Sequence, residues 1–373
     1  MDKKWFNSRA ARYLLTALVS FIGGCLFTWI GMPIPWLLGP MIVVLLASKW
    51  AKLPLVWPGS IRDAGILIVG YSLGLSLTKD ALIEIVHQLP SMLLMTVSLI
   101  AICIGLALLI SKLSGIDFAT MMTASIPGGL TQIITLAEEF KEIDVTVVTF
   151  FQVSRLMMIV FFVPLLLYSP WLTGAHAGTA VEAAHTAAAT WAGLFPNIGL
   201  YAIVCLLSAW IGKLIKLPTA YMLGPMIGTA LLHLSGYQGP QLPASLLNIS
   251  QFMIGSYVGL LLQPGKLERK LRTISIAICS GVLLVLSSLG LSMLLSLMHP
   301  ISPATSLLSM APGGMDQMGI MAHEVGADLS VVSGYQTFRI LFIYFVVSSV
   351  LKAAFRMAHR RKNDSSSPHT QHE

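Results

Sequence analysis

The feature that most constrains this chain is a series of short motifs that occurs twice, in the same order and at a nearly fixed spacing. Residues 37–42 read LLGPMI and residues 222–227 read MLGPMI, an offset of 222 − 37 = 185. A Pro-Gly-Gly motif recurs at the same offset, as Pro127, Gly128 and Gly129 and again as Pro312, Gly313 and Gly314. Chance supplies one such match but not an ordered series, so the sequence predicts two copies of one structural unit.

Polar residues follow the Pro-Gly-Gly motif with the same spacing in both copies. Gln132 corresponds to Gln317 at the offset of 185. After a slip of one residue a Gln-x-x-Arg pair also recurs, as Gln152 and Arg155 and as Gln336 and Arg339. The matched positions are Gly, Pro, Gln and Arg, which shape or line a membrane interior, rather than interchangeable Leu and Val.

The composition indicates an integral membrane protein. Of the 373 residues, 55% are apolar and only 10% are charged, and the mean hydropathy is +0.80. A soluble domain carries about a quarter charged residues. The net charge of +7 comes from Lys and Arg at the ends of apolar segments, which is typical of topology signals and not of a nucleic-acid groove. The four cysteines stand singly in apolar runs and are expected to be buried.

The predicted fold is an all-α polytopic membrane protein with two repeats of five to six membrane segments each. In the first repeat the apolar segments lie near 11–31, 34–50, 61–78, 90–111, 118–137 and 145–168; in the second they lie near 191–211, 218–235, 249–263, 271–298, 303–322 and 329–352. The fifth segment of each repeat carries Pro-Gly-Gly at its middle, within SIPGGLTQ and MAPGGMDQ. Because proline removes a backbone donor and glycine loosens a helix, each repeat is expected to contain a broken helix or a re-entrant segment there.

The predicted domain boundaries follow the repeat. Residues 1–168 form the first membrane repeat, and residues 191–355 form the second. The Ala-rich residues 169–190 form an extracytoplasmic linker, and residues 356–373 form a basic and polar cytoplasmic tail. The last part of this tail, from Arg360, is expected to lack regular structure.

The distribution of Lys and Arg predicts that the two repeats are inverted. Basic residues cluster before the first segment and after the second, fourth, seventh, ninth and twelfth, whereas the connections 169–190, 236–248 and 299–302 have none. Placing every basic cluster in the cytoplasm gives ten crossing segments, two Pro-Gly-Gly segments that enter and leave on one side, and cytoplasmic N- and C-termini. A variant keeps the Pro-Gly-Gly segments as broken full spans and makes another short segment interfacial.

Inverted repeats with a discontinuous helix at matching places are typical of secondary transporters, whose binding site lies near the membrane midplane. The alternative is that Gly and Pro are simply common in membrane helices. The candidate site comprises both Pro-Gly-Gly motifs together with Gln132 and Gln317, whose amides can both donate to and accept from a solute or can tie helices together.

Asp316 is the second residue after the second Pro-Gly-Gly motif. The equivalent residue of the first repeat is Thr131. An ionisable group inside a membrane segment costs at least about 2.5 kcal/mol at the bilayer centre, so it indicates function by default. The carboxylate is expected to bind a cation or carry a proton, or to cap the second half-helix by accepting amide hydrogen bonds.

Arg155 and Arg339 lie about ten residues into the last span of each repeat, each on the helix face of a glutamine three residues earlier. A buried guanidinium must be paired or reach water. Its expected role is to balance charge or bind an anion, or to lock two helices together. The candidate partners are carboxylates near the end of the fifth segment: Glu138, Glu139 and Asp144, or Glu324 and Asp328.

The sequence offers little support for an enzyme. None of the nine histidines pairs with another His, a Cys or a carboxylate at ligand spacing within one span, and no HExxH motif occurs. We therefore expect no cofactor, no metal and no catalytic residue. The loops are also too short to hold a DNA-binding module, so no direct contact with nucleic acid is expected.

The paired LGPM, Pro-Gly-Gly and Gln-x-x-Arg motifs resemble the AbrB-type membrane protein family, over about residues 10–355. Its members are duplicated and are labelled as regulators of aidB expression or as ammonia monooxygenases. The family is similar to the cation/proton antiporter and anion transporter fold group, which implies inverted repeats with crossed, broken helices. The resemblance therefore implies a transporter-like body that carries regulatory or enzymatic names.

The resulting functional hypothesis is a multi-pass bacterial inner-membrane protein that transports a small solute with H⁺ or Na⁺. The alternative is a membrane sensor that acts indirectly on gene expression without transport, and a membrane monooxygenase is the least supported. The expected partners are the lipid bilayer, the solute and the coupling ion, and a homodimer is compatible with the sequence.

Overall fold

A computed structural model describes residues 8–140, 142–169, 191–195, 197–261 and 270–366. All the regular structure in these ranges is helical, as predicted. Residues 170–190, which make up nearly all of the predicted linker, and the end of the predicted tail lie outside the described residues.

The described residues form fifteen α-helices. Those of the first repeat are α1 (Arg9–Ile30), α2 (Pro35–Lys49), α3 (Gly59–Ser76), α4 (Lys79–Ser114), α5 (Phe118–Ser125), α6 (Leu130–Glu138) and α7 (Val145–Leu167). Those of the second are α8 (Ile198–Leu214), α9 (Ala220–Leu234), α10 (Ala244–Leu261), α11 (Lys270–Met298), α12 (Pro303–Met310), α13 (Met315–Glu324) and α14 (Leu329–Phe342), and α15 (Ser348–Ser366) follows. A 3₁₀ turn covers Trp191–Leu194, and a π-helical turn, Ile343–Val347, joins α14 to α15.

Six helices are long and apolar enough to cross a bilayer, which supports the prediction of a membrane protein. They are α1, α4, α7, α10, most of α11 (Arg272–Met298), and the continuous run Leu329–Met357. Three further apolar helices, α2, α8 and α9, have 15 to 17 residues. Since a straight span needs about 20 residues, these three are short for a crossing on length alone. Large apolar side chains such as Leu14, Trp29 and Leu206 are exposed, as a lipid-facing surface requires.

Several sequence-based details were wrong. The fourth segment begins at Lys79 rather than near residue 90, because Thr78 caps α4 and Pro90 is accommodated inside the helix. Helix α15 continues to Ser366, so the tail is helical beyond Arg360. Cys103 and Cys205 are buried, but Cys25 and Cys279 are exposed. A membrane protein presents apolar surface to lipid, so an apolar run does not imply burial.

The helices form two groups. In the first group, which we call the panel, α1, α2 and α3 pack with α8, α9 and α10; in the second, the core bundle, α4–α7 pack with α11–α14. Helix α3 connects the groups by packing on α13 and α14. Equivalent helices make equivalent contacts: α1 packs on α2 as α8 packs on α9, and α4 packs on α5 as α11 packs on α12.

Glycines allow the panel helices of the two repeats to approach backbone to backbone. A Cβ built on Gly74 of α3 would lie 2.6 Å from the carbonyl oxygen of Met226 in α9. A Cβ on the equivalent Gly259 of α10 would lie 2.5 Å from the carbonyl oxygen of Met41 in α2. Such approaches exclude any side chain, which explains the glycine spacing in both copies.

Equivalent helices of the two repeats run antiparallel where they meet. In the panel, Gly59 near the start of α3 faces Tyr257 near the end of α10, and Gly65 lies on Ser250. In the core bundle, the Ser91 hydroxyl near the start of α4 bonds to His299 just beyond α11, at 2.9 Å. At the other end of this pair, Arg272 Nη2 donates to the carbonyl of Leu113, at 2.9 Å.

We predict that Gly259→Ala destabilises the protein by about 1–3 kcal/mol, because the new methyl group meets the α2 backbone rather than a flexible side chain. Thermal unfolding in detergent measures the effect. The matched control is Gly290→Ala on α11, where nothing lies within 4 Å of the added Cβ. This control should be neutral or slightly stabilising, since alanine favours a helix. Equal stability of the two variants would contradict the proposed contact.

Candidate functional site

Each Pro-Gly-Gly motif lies between two short helices. In the first repeat α5 ends at Ser125 and α6 begins at Leu130; in the second α12 ends at Met310 and α13 begins at Met315. A helix that ends leaves its last carbonyl groups without partners, and such groups are costly inside a membrane. The groups that donate hydrogen bonds to these carbonyls therefore determine the structure around each Pro-Gly-Gly motif.

In the second repeat the Gln-x-x-Arg pair of α14 binds the end of α12. Gln336 Nε2 donates to the carbonyls of Leu308 and Ala311, at 2.7 and 3.1 Å. Arg339 donates from Nη1 to the carbonyl of Met310, at 3.2 Å, and from Nη2 to that of Ala311, at 2.9 Å. Arg339 Nη2 also donates to Gln336 Oε1, which orients both side chains.

In the first repeat the equivalent pair of α7 binds the end of α5 in the same manner. Gln152 Nε2 donates to the carbonyls of Ala124 and Ile126, at 3.1 and 3.0 Å. Arg155 Nη1 donates to the carbonyls of Ser125 and Ile126, at 3.3 and 3.1 Å, and its Nη2 donates to Gln152 Oε1 at 2.5 Å. Both arginines are buried. A cation at a helix C-terminus also opposes the negative end of the helix dipole.

The carboxylates proposed as partners of the arginines either bind other groups or are exposed. Asp144 and Asp328 cap α7 and α14 by accepting backbone N–H groups at 2.8–3.1 Å. Glu139 pairs with Lys352 at 2.6 Å, and Glu324 accepts from Gln251 at 3.0 Å. Glu138 is exposed. The candidate pairing was therefore wrong, because main-chain carbonyls take the place of side-chain acceptors.

A threonine at the start of each fifth segment anchors the start of the last span. The backbone N–H of Asp144 donates to Thr120 Oγ1 at 3.2 Å, and that of Asp328 donates to Thr305 Oγ1 at 3.0 Å. The beginning of α7 thus lies beside the beginning of α5, and the beginning of α14 lies beside that of α12. The two threonines differ by 305 − 120 = 185 residues.

Each Pro-Gly-Gly motif packs against the last span of the other repeat. A Cβ on Gly128 would lie 3.4 Å from the Ile343 side chain, and a Cβ on Gly313 would lie 3.0 Å from that of Ile159. The charges of Arg155 and Arg339 act on each other across this contact. The two motifs therefore belong to one region of the core bundle.

Asp316 lies in the first turn of α13, beside the backbone N–H groups of Asp316 and Gln317. Gln317 Nε2 donates to its Oδ2 at 3.0 Å, whereas Gln317 Oε1 is buried without a partner among the described residues. The charge of Arg62 in α3 also acts on this carboxylate. Both sequence-based readings of Asp316, as a helix cap and as a site residue, agree with this position.

The two copies of the site differ in burial. In α13, Gln317 is 2% exposed and Ile320 is 4% exposed. At the equivalent positions in α6, Gln132 is partly exposed and Thr135 is exposed. Helix α13 packs on α3, but α6 does not pack on α10 to a comparable extent within the described residues. The end of the first hairpin therefore faces open space, whereas the second is enclosed.

Two polar groups near the second motif, Arg62 and Gln251, were missed as candidate site residues by sequence reasoning. Arg62 pairs with Asp63 at 2.6 Å and lies 4.4 Å from the centroid of the Tyr257 ring. Gln251 lines a small cleft with His323 and Glu324 between the panel and the core bundle. The sequence signal for Gln251 was its place in an apolar segment; Arg62 looked interfacial because it opens α3. Among the described residues, no three His, Cys, Asp or Glu side chains form a metal-binding group.

The model of the family described as "Transition state regulatory protein AbrB" matches residues 36–355. The chain belongs to the AbrB family. It is 24% identical over 366 residues to "Uncharacterized protein YhjN" of Bacillus subtilis (strain 168), covering 94% of each chain. It is 25% identical over 336 residues to "Putative regulator AbrB" of Escherichia coli (strain K12), covering 90% of this chain and 94% of that protein. The expected family resemblance is thus confirmed over both repeats.

For this AbrB-family chain we predict that Gln336→Leu lowers the stability by about 1–3 kcal/mol, because the buried Leu308 carbonyl loses its side-chain donor, the Ala311 carbonyl keeps only Arg339, and Arg339 loses an acceptor. Denaturation in detergent measures the loss. Thr337→Val, on the next residue of α14, removes only a long contact to sulfur, 3.6 Å, and serves as the control. A Gln336→Leu variant as stable as Thr337→Val would contradict the capping role.

Proposed function

We propose that this AbrB-family protein is a secondary transporter for a small solute, built from two inverted repeats with a discontinuous hairpin in each. The observation that carries the proposal is the pair of helix ends at Pro127 and Pro312, each held at membrane depth by an equivalent Gln-x-x-Arg pair. A soluble or purely structural bundle has no need for such ends, whereas a transporter uses them to present backbone groups to its cargo.

The antiparallel packing of equivalent helices supports the inversion. Helix α3 packs antiparallel to α10, and helix α4 packs antiparallel to α11. Two copies in the same orientation would place equivalent helices parallel. The threonine contacts support re-entrant hairpins rather than broken full spans: since α7 starts where α5 starts, the segment between them has returned to the side that it entered.

The basic residues support a cytoplasmic location for both termini. The interaction of Arg272 with the end of α4, that of Tyr344 with the carbonyl of Lys216, and the Lys352–Glu139 pair bring basic chain segments to one face of the molecule. Under the positive-inside rule this face is cytoplasmic. The α5–α6 hairpin then enters from the cytoplasm, and the α12–α13 hairpin enters from the opposite side.

In this orientation we assign the conformation to an inward-open state. Three observations support closure of the hairpin on the outer side: the packing of α13 on α3, the bond from Ser330 Oγ to the carbonyl of Ser76 at 2.8 Å, and the Gln251–Glu324 bond. Within the described ranges the cytoplasmic hairpin has no equivalent contacts. If the core bundle moved relative to the panel, the outer side would open and the cytoplasmic side would close. This motion would give alternating access.

The roles divide between the two repeats. Gln132 and Gln317 contact the solute near the glycine motifs, and Asp316 binds the coupling H⁺ or Na⁺. Gln152, Arg155, Gln336 and Arg339 fix the helix ends and are positioning residues. The difference between Thr131 and Asp316 makes the ion site a property of the second repeat alone.

We predict that Asp316→Asn abolishes ion coupling, because the neutral amide neither carries a proton nor attracts Na⁺. Proteoliposomes loaded with a pH-sensitive dye or with ²²Na⁺ provide the readout, and a panel of chloride, carboxylate and amino-acid salts serves as driving solute. The control is Asp80→Asn, which changes an exposed carboxylate in the first turn of α4. Coupled flux in Asp316→Asn equal to that of the unchanged protein would refute the role of Asp316.

We also predict that a cysteine at position 135 reacts faster with a membrane-impermeant maleimide than one at position 320, in a background without the four native cysteines. Inside-out vesicles expose the cytoplasmic face, and the labelling rates of Thr135→Cys and Ile320→Cys are compared. We expect the labelling rate of Thr135→Cys to exceed that of Ile320→Cys, because Thr135 is exposed whereas Ile320 is only 4% exposed. Equal rates, or faster labelling from the outer face, would contradict an inward-open state.

The printed descriptions of the family and of the Escherichia coli relative favour a second candidate, a membrane sensor that acts on gene expression without transport. The same hairpins would then bind a solute and change shape without releasing it on the other side. Changed gene expression in a deletion strain with normal solute flux favours this candidate. Loss of flux in the same strain favours transport.

A further inference from the structure

A small cavity lies beside the helix end of the first repeat, within the core bundle. Its polar lining comes from Arg155 of α7, Ser125 of α5, Cys103 of α4 and Ser280 of α11, and the remaining lining residues are apolar. The space admits about one water-sized particle. The cavity thus has four groups that can donate hydrogen bonds and no carboxylate.

Two of these donors are unused. Arg155 is 9% exposed, and its Nε atom is buried without a hydrogen-bond partner among the described residues. Ser125 Oγ is likewise buried and unpartnered. The Nη atoms of Arg155 are occupied by carbonyls and by Gln152, so the free Nε–H is the side of the guanidinium left for a ligand. Leaving a charged donor unpaired in a buried position is unfavourable.

The charge balance favours an anion. Neither Arg155 nor Arg339 forms a salt bridge with a carboxylate in the described part of the chain, and their charges act on each other with Cys103 near both. A helix C-terminus supplies only about −0.5 of a charge. Each guanidinium therefore retains part of its positive charge in a setting where water is scarce.

In the second repeat, larger side chains occupy the positions equivalent to the two serines of this cavity. At the offset of 185, Ser125 corresponds to Met310 and Ser280 corresponds to Met95, and both methionines are buried in one apolar cluster. The shared architecture is thus compatible with a filled site. The open space in the first repeat results from two serines where the other copy has methionine.

We propose that this cavity binds one small monovalent anion of halide size, held by Arg155 Nε–H and by the hydroxyl groups of Ser125 and Ser280. A carboxylate-bearing solute is too large for the space, and a cation would be repelled by the positive charge of Arg155. The site does not depend on transport: it can be occupied whether or not the protein moves a solute.

Equilibrium binding of ³⁶Cl⁻ to the purified full-length chain in gluconate buffer tests the proposal. We expect saturable binding of about one ion per chain, displaced by bromide. Ser280→Met, which copies the packing of the second repeat, should abolish binding while the protein stays folded. Ser287→Met, on a partly exposed position of the same helix, should bind as the unchanged protein does.

Two further variants keep the test decisive if Ser280→Met fails to fold. Arg155→Lys keeps the charge but removes the Nε–H donor, and Ser125→Ala removes a hydroxyl group; each should weaken binding by about tenfold, the effect of one lost charge-assisted hydrogen bond. Absence of saturable binding, meaning that the cavity holds only water, would overturn the proposal, as would binding that Ser280→Met leaves unchanged. Chloride binding without coupled flux would support this site and count against transport.

Discussion

The structure depends on one requirement: carbonyl groups that no helix can satisfy must find donors inside the membrane. The chain creates these groups itself, by ending α5 before Pro127 and α12 before Pro312. It satisfies them with an amide and a guanidinium from one helix face. Because Arg and Gln lie three residues apart, each orients the other, and the last span of each repeat becomes the support of its own helix end.

The panel and the core bundle are held together by different kinds of contact. Glycines in the panel give backbone contacts that no side chain can loosen, as at Gly74 and Gly259. Polar side chains in the core bundle instead hold the interrupted helix ends. The panel is thus held by backbone contacts and the core bundle by side-chain hydrogen bonds, and α3 joins the two groups.

Sequence reasoning predicted the duplicated helical membrane body, the interruption at Pro-Gly-Gly, and the shared face of Gln336 and Arg339. It could not predict what the arginines bind, because a main-chain carbonyl has no residue type and leaves no sequence signal. It also missed the electrostatic influence of Arg62 on Asp316, since the two residues are about 250 positions apart in the chain. The exposure of Cys25 was also not predicted, because lipid-facing and buried positions have the same apolar residue types in the sequence.

Helix α3 has a consequence for how the protein is made. It is absent from the helices apolar enough to cross a bilayer unaided, and it carries Arg62 and Asp63 near its start. Its main packing partners, α9, α10, α13 and α14, all belong to the second repeat and are synthesised much later. Most of the packing surface of α3 therefore stays uncovered until the second repeat has been made.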